Sequence, residues 1–473
     1  MSSPVLVLGA GLSGLSASFH IGHEKCLIFE KDASPFGHIR SEAREGFTWD
    51  QGPHVSFTKS EYVRDLFAES VSDEFEDYPV RTRNYYHGHW IDHPAQSNLH
   101  QVPEPLRSAC LESFLEARKL PPPEAPRSYQ EWLDYAMGPV FAKTFSAAYT
   151  RKYWTVSPEE LETDWIGKRV FYPTVEDVVS GFRGPLSEQT HYITHVRYPS
   201  RGGYQSFARK MAEGANLRLN SEIVRIDLDS KRIWVRENGN TLPRQYTFNR
   251  LINTIPLPVF ISLCDNVPSA VTGAADQLNC SQLLLVNITA PHPTQIDGNW
   301  FYIYNEDFHS TRINCTEKLS PHNAPEGSTG IQVEVYAHPK LGFSDTVDNI
   351  TRKVVRECVR MGFVNENLLP TGESLPNISS LSNVRFHTQF CNYANVICDH
   401  DRKPALATIL NWLELHGLNR DDSDLAPFTD WNKNPTMKPA SLELAGRFAE
   451  WKYFWTDDCV LRGRSLSPFS AHR

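Results

Sequence analysis

A chain of 473 residues, 40% hydrophobic and 22% charged, is ordinary globular protein, long for one domain and short for four. Its net charge of −9 and pI near 6.1 argue against nucleic acid or an anionic membrane as a general partner, because those take a basic face. A small anion held by a few local arginines stays open. No run of about 18 apolar residues occurs, which predicts no membrane span. A strand pattern by residue 4 leaves no room for a secretory signal. Nine scattered cysteines, with no C-x-x-C and no metal-ligand spacing, predict reduced thiols in a cytoplasmic protein and no metal.

The chain opens PVLVLGAGLSGLSASFHIGHEKCLIFEKD, which reads as strand, glycine turn, helix, strand. Val5 to Leu8 form an apolar run suited to a strand buried on both faces. In Gly9-x-Gly11-x-x-Gly14, Gly9 permits the tight turn, Gly11 admits a pyrophosphate, and Gly14 lets helix and strand pack closely. The free N–H groups of the new helix, with Ser13 in its first turn, would face the phosphates. A second strand, Cys26 to Phe29, ends in Glu30, placed to hold the adenosine ribose. The following KDASPFGHIRS adds Lys31, Gly37, Arg40 and Ser41 and suggests a flavin enzyme more than a nicotinamide dehydrogenase. WDQGPHVSF then places polar groups around a Gly52-Pro53 corner, where a flavin that only oxidises would have apolar walls.

Residues 100–148 carry helix-type spacing with proline punctuation, clearest over 128–149. SEIVRIDLDSKRIWVRENG (221–239) alternates like a hairpin, and the backbone around Val224 would meet the adenine of FAD. RLINTIP (250–256) reads as a further buried strand. From 280 to 400, β-branched and aromatic runs predict an antiparallel sheet. AGRFAEWKYFWTDDCVLRGRSL places Gly446 and Arg447 before a helix starting near Asp457, whose N-terminus would meet the flavin. The expected fold is α/β: a discontinuous Rossmann-type FAD-binding domain (1–80, 195–255 and 440–473), a helical insertion (97–190) and an antiparallel β-sheet substrate domain (81–96 and 256–439).

Six stretches together resemble the UDP-galactopyranose mutase family, the long eukaryotic type more than the short bacterial one, over nearly the whole chain. They are DQGPHVSF, GHWIDHPAQSN, YTRKYWTVSPEELETDWIGKRVFYP, HVRYPSRGGYQSF, NWFYIYNEDFHSTR and AGRFAEWKY. The resemblance implies FAD, active when reduced, with NAD(P)H a candidate reductant, and a nucleotide-sugar substrate; assembly into a homo-oligomer stays open. It implies that Arg169 and Arg312 clamp the diphosphate, that Trp154 and Tyr302 touch substrate, and that Tyr393 and Tyr453 lie near phosphates and flavin. Arg447 would serve substrate and flavin, Gln96 the uridine, and His54 the flavin.

In that family the reduced flavin N5 attacks the sugar C1, the diphosphate leaves, and the sugar recloses as pyranose or furanose without net electron flow. Two guanidiniums suit such a leaving group because they stabilise charge as it develops. The polar loop at His54 fits a flavin used as nucleophile. His93 and Ala95 stand where the family has aromatic rings, and Thr150 where the eukaryotic type has Asn. These departures predict room at the nucleobase and leave base and sugar open, with a guanine or a methylated pyrimidine as alternatives to uracil. An FAD oxidase of the protoporphyrinogen-oxidase or amine-oxidase kind shares the expected fold, as does a flavin-binding protein without catalysis.

Overall fold

The computed structural model describes residues 4–167, 169–186, 195–365, 384–420, 423–431 and 440–467. Its organising sheet has five parallel strands in the order Leu442–Leu444, Leu251–Asn253, Val5–Leu8, Cys26–Phe29, Leu217–Arg218. Strands drawn from such distant segments make the nucleotide-binding layer discontinuous, as expected. The helix Leu12–Ile21 lies so close to the first strand that a Cβ on Gly14 would stand 2.1 Å from the Gly9 carbonyl oxygen. The C-terminal helix Thr456–Ser465 packs on it equally tightly: Ser16 Oγ donates to the Val460 carbonyl at 2.7 Å, beside Gly463.

The expected hairpin is present as Ser221–Asp227 and Arg232–Glu237, with a third strand, Arg244–Thr247. The expected substrate sheet has seven strands, ordered Arg385–Val396, Cys280–Ala290, Thr329–Ala337, Arg312–Cys315, Trp300–Ile303, Thr82–Tyr86, His89–Asp92. Its pairings are antiparallel except Trp300–Ile303 against Thr82–Tyr86.

One segment departs from the sheet reading of 280–400. Val347–Arg360 is a helix whose Ile350, Val354, Val355 and Cys358 are buried against that sheet's core, with helical rather than alternating spacing. The helices Leu257–Leu263, Ser269–Gln277 and Arg402–Glu414 share a core with Leu6, Leu8 and Leu251 of the parallel sheet. Among the described residues no helix is long and apolar enough to cross a membrane. All nine cysteines are free, seven of them buried.

Candidate active site

Where the parallel sheet, the seven-stranded sheet and the helical segment meet, they enclose a cavity of about 370 Å3. Twelve of the residues expected at a site line it: Pro53, His54, His93, Gln96, Thr150, Trp154, Arg169, Tyr302, Arg312, Arg447, Tyr453 and Asp457. The helical wall ends in a π-turn, Ala142–Ser146, followed by the helix Ala147–Tyr153. That wall presents Ser146, Tyr149, Thr150, Tyr153 and Trp154 to the cavity. The Thr150 hydroxyl donates back to the Ser146 carbonyl at 2.8 Å.

The two expected clamp arginines are held differently. Arg169 donates from Nη2 to the Tyr453 carbonyl at 2.9 Å and stacks on the rings of Phe428, Tyr453 and Trp455, 4.4 to 5.1 Å from their centres. Its Nε is buried without a partner, and Asp458 is 3.9 Å away. Burial, then Asp457, raises the Asp458 carboxyl to about 6. Arg312 makes a two-pronged ion pair with Glu334, from Nε and from Nη2, the latter at 2.7 Å. Burial opposes its charge, but Glu334, Tyr336 and Tyr153 hold its pKa well above the usual guanidinium value. Arg447 is anchored through Nε to the Phe454 carbonyl at 2.7 Å and through Nη1 to the Ala394 carbonyl at 3.2 Å.

His54 follows a corner at Gly52, whose φ is +97°. Its Nδ1–H donates to the Gly52 carbonyl at 2.7 Å, which leaves Nε2 as an acceptor, and its ring stacks on Tyr204 at 5.3 Å. Burial, opposed by that bond, lowers its pKa to about 3, so His54 is neutral at ordinary pH. Beneath the loop, Asp50 accepts from Ser41 Oγ at 2.6 Å, from Tyr198 Oη at 2.8 Å and from the Tyr204 N–H at 3.0 Å. The Ser41 hydroxyl therefore braces this loop. Burial raises Asp50 to about 6.

Two residues singled out from the sequence do not line the cavity. Ala95 is fully buried in the core and does not line the cavity, whose wall includes the rings of Phe141, Tyr149 and Tyr304. Tyr393 is not in the cavity wall; it packs on Phe448 at 5.4 Å, and Asn395 takes the cavity position. The strand is irregular there: Cys391 and Asn395, four apart, pair with Leu283 and Ser281, two apart. Sequence reasoning missed Glu334, Tyr149, Tyr153, Asn395 and the Asp50 brace. Tyr149 and Tyr153 lie one turn apart on a helix, beside Thr150 and Trp154, which was a usable signal.

The remaining expected residues form a second cradle. A Cβ on Gly11 would meet nothing within 4 Å, and the helix Leu12–Ile21 starts there with no side-chain cap. The Glu30 carboxylate accepts from the Ala10 N–H at 2.9 Å and the Asp32 N–H at 3.0 Å. Arg40 pairs with Asp32 at 2.6 Å, and Lys31 is exposed. Val224 is skipped in the hairpin register, between Ile223 and Arg225. Gly446, at φ +110°, passes so close to Ser13 that a Cβ would lie 2.5 Å from its hydroxyl.

A family model, flavin containing amine oxidoreductase, matches residues 12–396. The chain belongs to that family. The chain is 25% identical over 257 residues to 4,4'-diapophytoene desaturase (4,4'-diaponeurosporene-forming) of Staphylococcus aureus strain Newman, 48% of this chain and 50% of the desaturase. It thus spans about half the length of the curated relatives it matches. Its fold is similar to a crystal structure of reduced UDP-galactopyranose mutase, with a TM-score of 0.82 at 20% identity over 98% of this chain and 95% of that one. A putative protoporphyrinogen oxidase from Exiguobacterium sp. 255-15 follows at a TM-score of 0.67, 14% identity and 98% of both chains. Putrescine oxidase bound to putrescine gives 0.59 at 12% identity over 98% of both chains. At these identities the likeness is one of fold. The uncapped helix start, the open side of Gly11 and the skipped Val224 fit the flavin the family implies.

Proposed function

We propose that this protein is an FAD-dependent, non-redox mutase that interconverts pyranose and furanose forms of a nucleoside-diphosphate sugar, with UDP-galactose the first substrate to test. One observation carries this reading. The cavity wall carries three guanidiniums from separate segments, Arg169, Arg312 and Arg447, against one carboxylate, Asp457. A hydrocarbon or an amine gains nothing from such a wall, whereas a diphosphate brings the matching charge.

The residues then divide the work. Arg169 and Arg312 receive the charge of the departing diphosphate. Glu334 occupies Nε and Nη2 of Arg312, so Nη1 is the nitrogen left to the ligand. Trp154, Tyr302 and Tyr453 wall the sugar and exclude water. His54 offers a lone pair from Nε2 and no charge. Gln96, beside Met137 and Ser146, suits the amide edge of a base. A bound reduced flavin would supply the nucleophilic nitrogen, and NAD(P)H is the reductant to try first. A second reading, an oxidase or desaturase, draws support from family membership and from Val55, Phe57, Val80, Val170 and Val196, which also line the cavity. It leaves the three arginines of the wall without a purpose.

Competition binding of UDP, TDP, GDP and CDP to the reduced protein tests the proposal. With Phe141, Tyr149 and Tyr304 available in the cavity wall to enclose a base, UDP is expected to bind at least about tenfold more tightly than GDP. Absence of binding by every nucleotide would remove the sugar-nucleotide reading, and equal affinity for GDP would point to room at the nucleobase.

A further inference from the structure

Residues 304–311 join the strands Trp300–Ile303 and Arg312–Cys315. The cavity residues Tyr302, Tyr304 and Arg312 stand at the two ends of this loop, so its position sets theirs. Two charged side chains from distant segments hold it. From one side, the Glu357 carboxylate of the helix Val347–Arg360 accepts from the His309 N–H at 2.8 Å, the Ser310 N–H at 2.8 Å and Ser310 Oγ at 2.5 Å. From the other, Lys152 of the helix Ala147–Tyr153 donates from Nζ to the carbonyls of Ile303 at 3.0 Å, Asn305 at 2.7 Å and Ser310 at 2.7 Å. An ammonium carries three protons, and three carbonyls take them. Ser310 is fully buried, its N–H on the anion and its carbonyl on the cation, so the loop's backbone lies between two opposite charges. Lys152 is not itself in the cavity wall, but its helix neighbours Tyr149, Thr150, Tyr153 and Trp154 are. Its ammonium therefore spans the seam between the helical wall and the substrate sheet. Rings meet across the same seam: Tyr149 lies 5.2 Å from Tyr302 and 5.9 Å from Tyr304, and the Arg312 guanidinium 5.6 Å from the Tyr153 ring.

We propose that Lys152 is a positioning residue whose ammonium pins the loop 304–311 to the helix Ala147–Tyr153 and so sets the distance of Arg312 from the helical wall across which the ligand diphosphate lies. The pin stands on the geometry alone; that it serves a diphosphate rests on the mutase reading. Without the ammonium, three carbonyls lose their donor while Glu357 keeps the amides of His309 and Ser310. The loop is then held from one side only, and Tyr304 and Arg312 lose their fixed distance from Tyr149 and Trp154. The ion pair of Arg151 with Glu306 crosses the same seam at 2.7 Å, but both side chains are solvent-exposed, and an exposed pair contributes little. The nucleotide cradle at Gly11 and Glu30 is built from other segments, so the cofactor is held whether or not the pin is in place.

The test uses the full-length, FAD-loaded, dithionite-reduced protein as native and Lys152→Ala, with Lys152→Ala/Glu357→Gln as the variant that leaves no unbalanced charge should the single one fold poorly. Each variant should keep its FAD, bind UDP at least about tenfold more weakly and turn over UDP-galactopyranose about 100-fold more slowly, as a misplaced contact group does. Hydrogen exchange at the amides of residues 304–311 should be at least about tenfold faster. In Lys152→Ala, n-propylammonium chloride replaces the missing carbons and their charge, and should restore UDP affinity and exchange protection by at least about fivefold. Tetramethylammonium chloride, a cation with no N–H, and sucrose, which favours folded protein in general, should restore neither. Rescue by sucrose equal to that by propylammonium would reduce Lys152 to a stabilising residue and overturn the proposal. Native UDP affinity and native exchange in the variants would also overturn it and leave the mutase reading standing. Native protein that binds no UDP, with the exchange response and its rescue intact, would remove the mutase reading and leave the pin.

Discussion

Arg312→Ala is expected to lose turnover and stability together, for two separable reasons. The side chain is the sole ion-pair partner of Glu334 recorded among the described residues, and the Glu334 side chain is only 1% exposed. Removing the guanidinium strands a buried carboxylate, at a cost of about 3–5 kcal/mol to folding. The same guanidinium stabilises the departing diphosphate, at a further cost of about 2–4 kcal/mol to the transition state. The double variant Arg312→Gln/Glu334→Gln separates the two. It should recover most of the stability in urea unfolding and none of the turnover. Arg169→Ala, whose guanidinium is held by aromatic stacking and one carbonyl, should lose a similar share of turnover while keeping its flavin. Near-native turnover in Arg169→Ala and in the double variant would show the clamp to be misassigned.

Gly11→Ala and Gly14→Ala should fail in opposite ways, although both alter the same glycine motif. At Gly14 the new methyl would stand 2.1 Å from the Gly9 carbonyl oxygen, in the turn that follows the first strand. Only a shift of the helix Leu12–Ile21 can relieve that, so a loss of about 3 kcal/mol or more is expected, with flavin lost alongside. At Gly11 the methyl meets nothing in the protein, and φ is −72°, which alanine accepts. Its stability should stay within about 0.5 kcal/mol of native, while FAD affinity falls at least roughly tenfold, because the methyl stands where a diphosphate would approach. Native affinity in Gly11→Ala would place the anion elsewhere.

The nucleotide layer was legible because its steric demands are local: Gly9, Gly11, Gly14 and Glu30 fall within one strand–turn–helix–strand unit. Arg169, Arg312, Trp154 and Tyr302 were legible through the resemblance to the mutase family, and the structure gathers them around one cavity. Glu334 was not, because an acid in an alternating strand reads as a solvent-facing position; here it is buried against the Arg312 guanidinium. The helix Val347–Arg360 was missed because its valines and isoleucine read as strand while their spacing is helical. The cavity positions of the rings from segment 141–149 and Tyr304, and of Asn395 rather than Tyr393, were not legible because they depend on tertiary packing and on a strand irregularity.

The central claim is that a flavin enzyme with this cavity returns its electrons. The most direct test is electron balance under anaerobic conditions, with the protein reduced by dithionite and supplied with UDP-galactopyranose. The account predicts many turnovers to the furanose form per flavin, no dithionite consumed in step with product, and no turnover by the oxidised enzyme. Product that appears only with oxidised flavin, in step with consumption of an electron acceptor, would contradict it and favour an oxidase or desaturase.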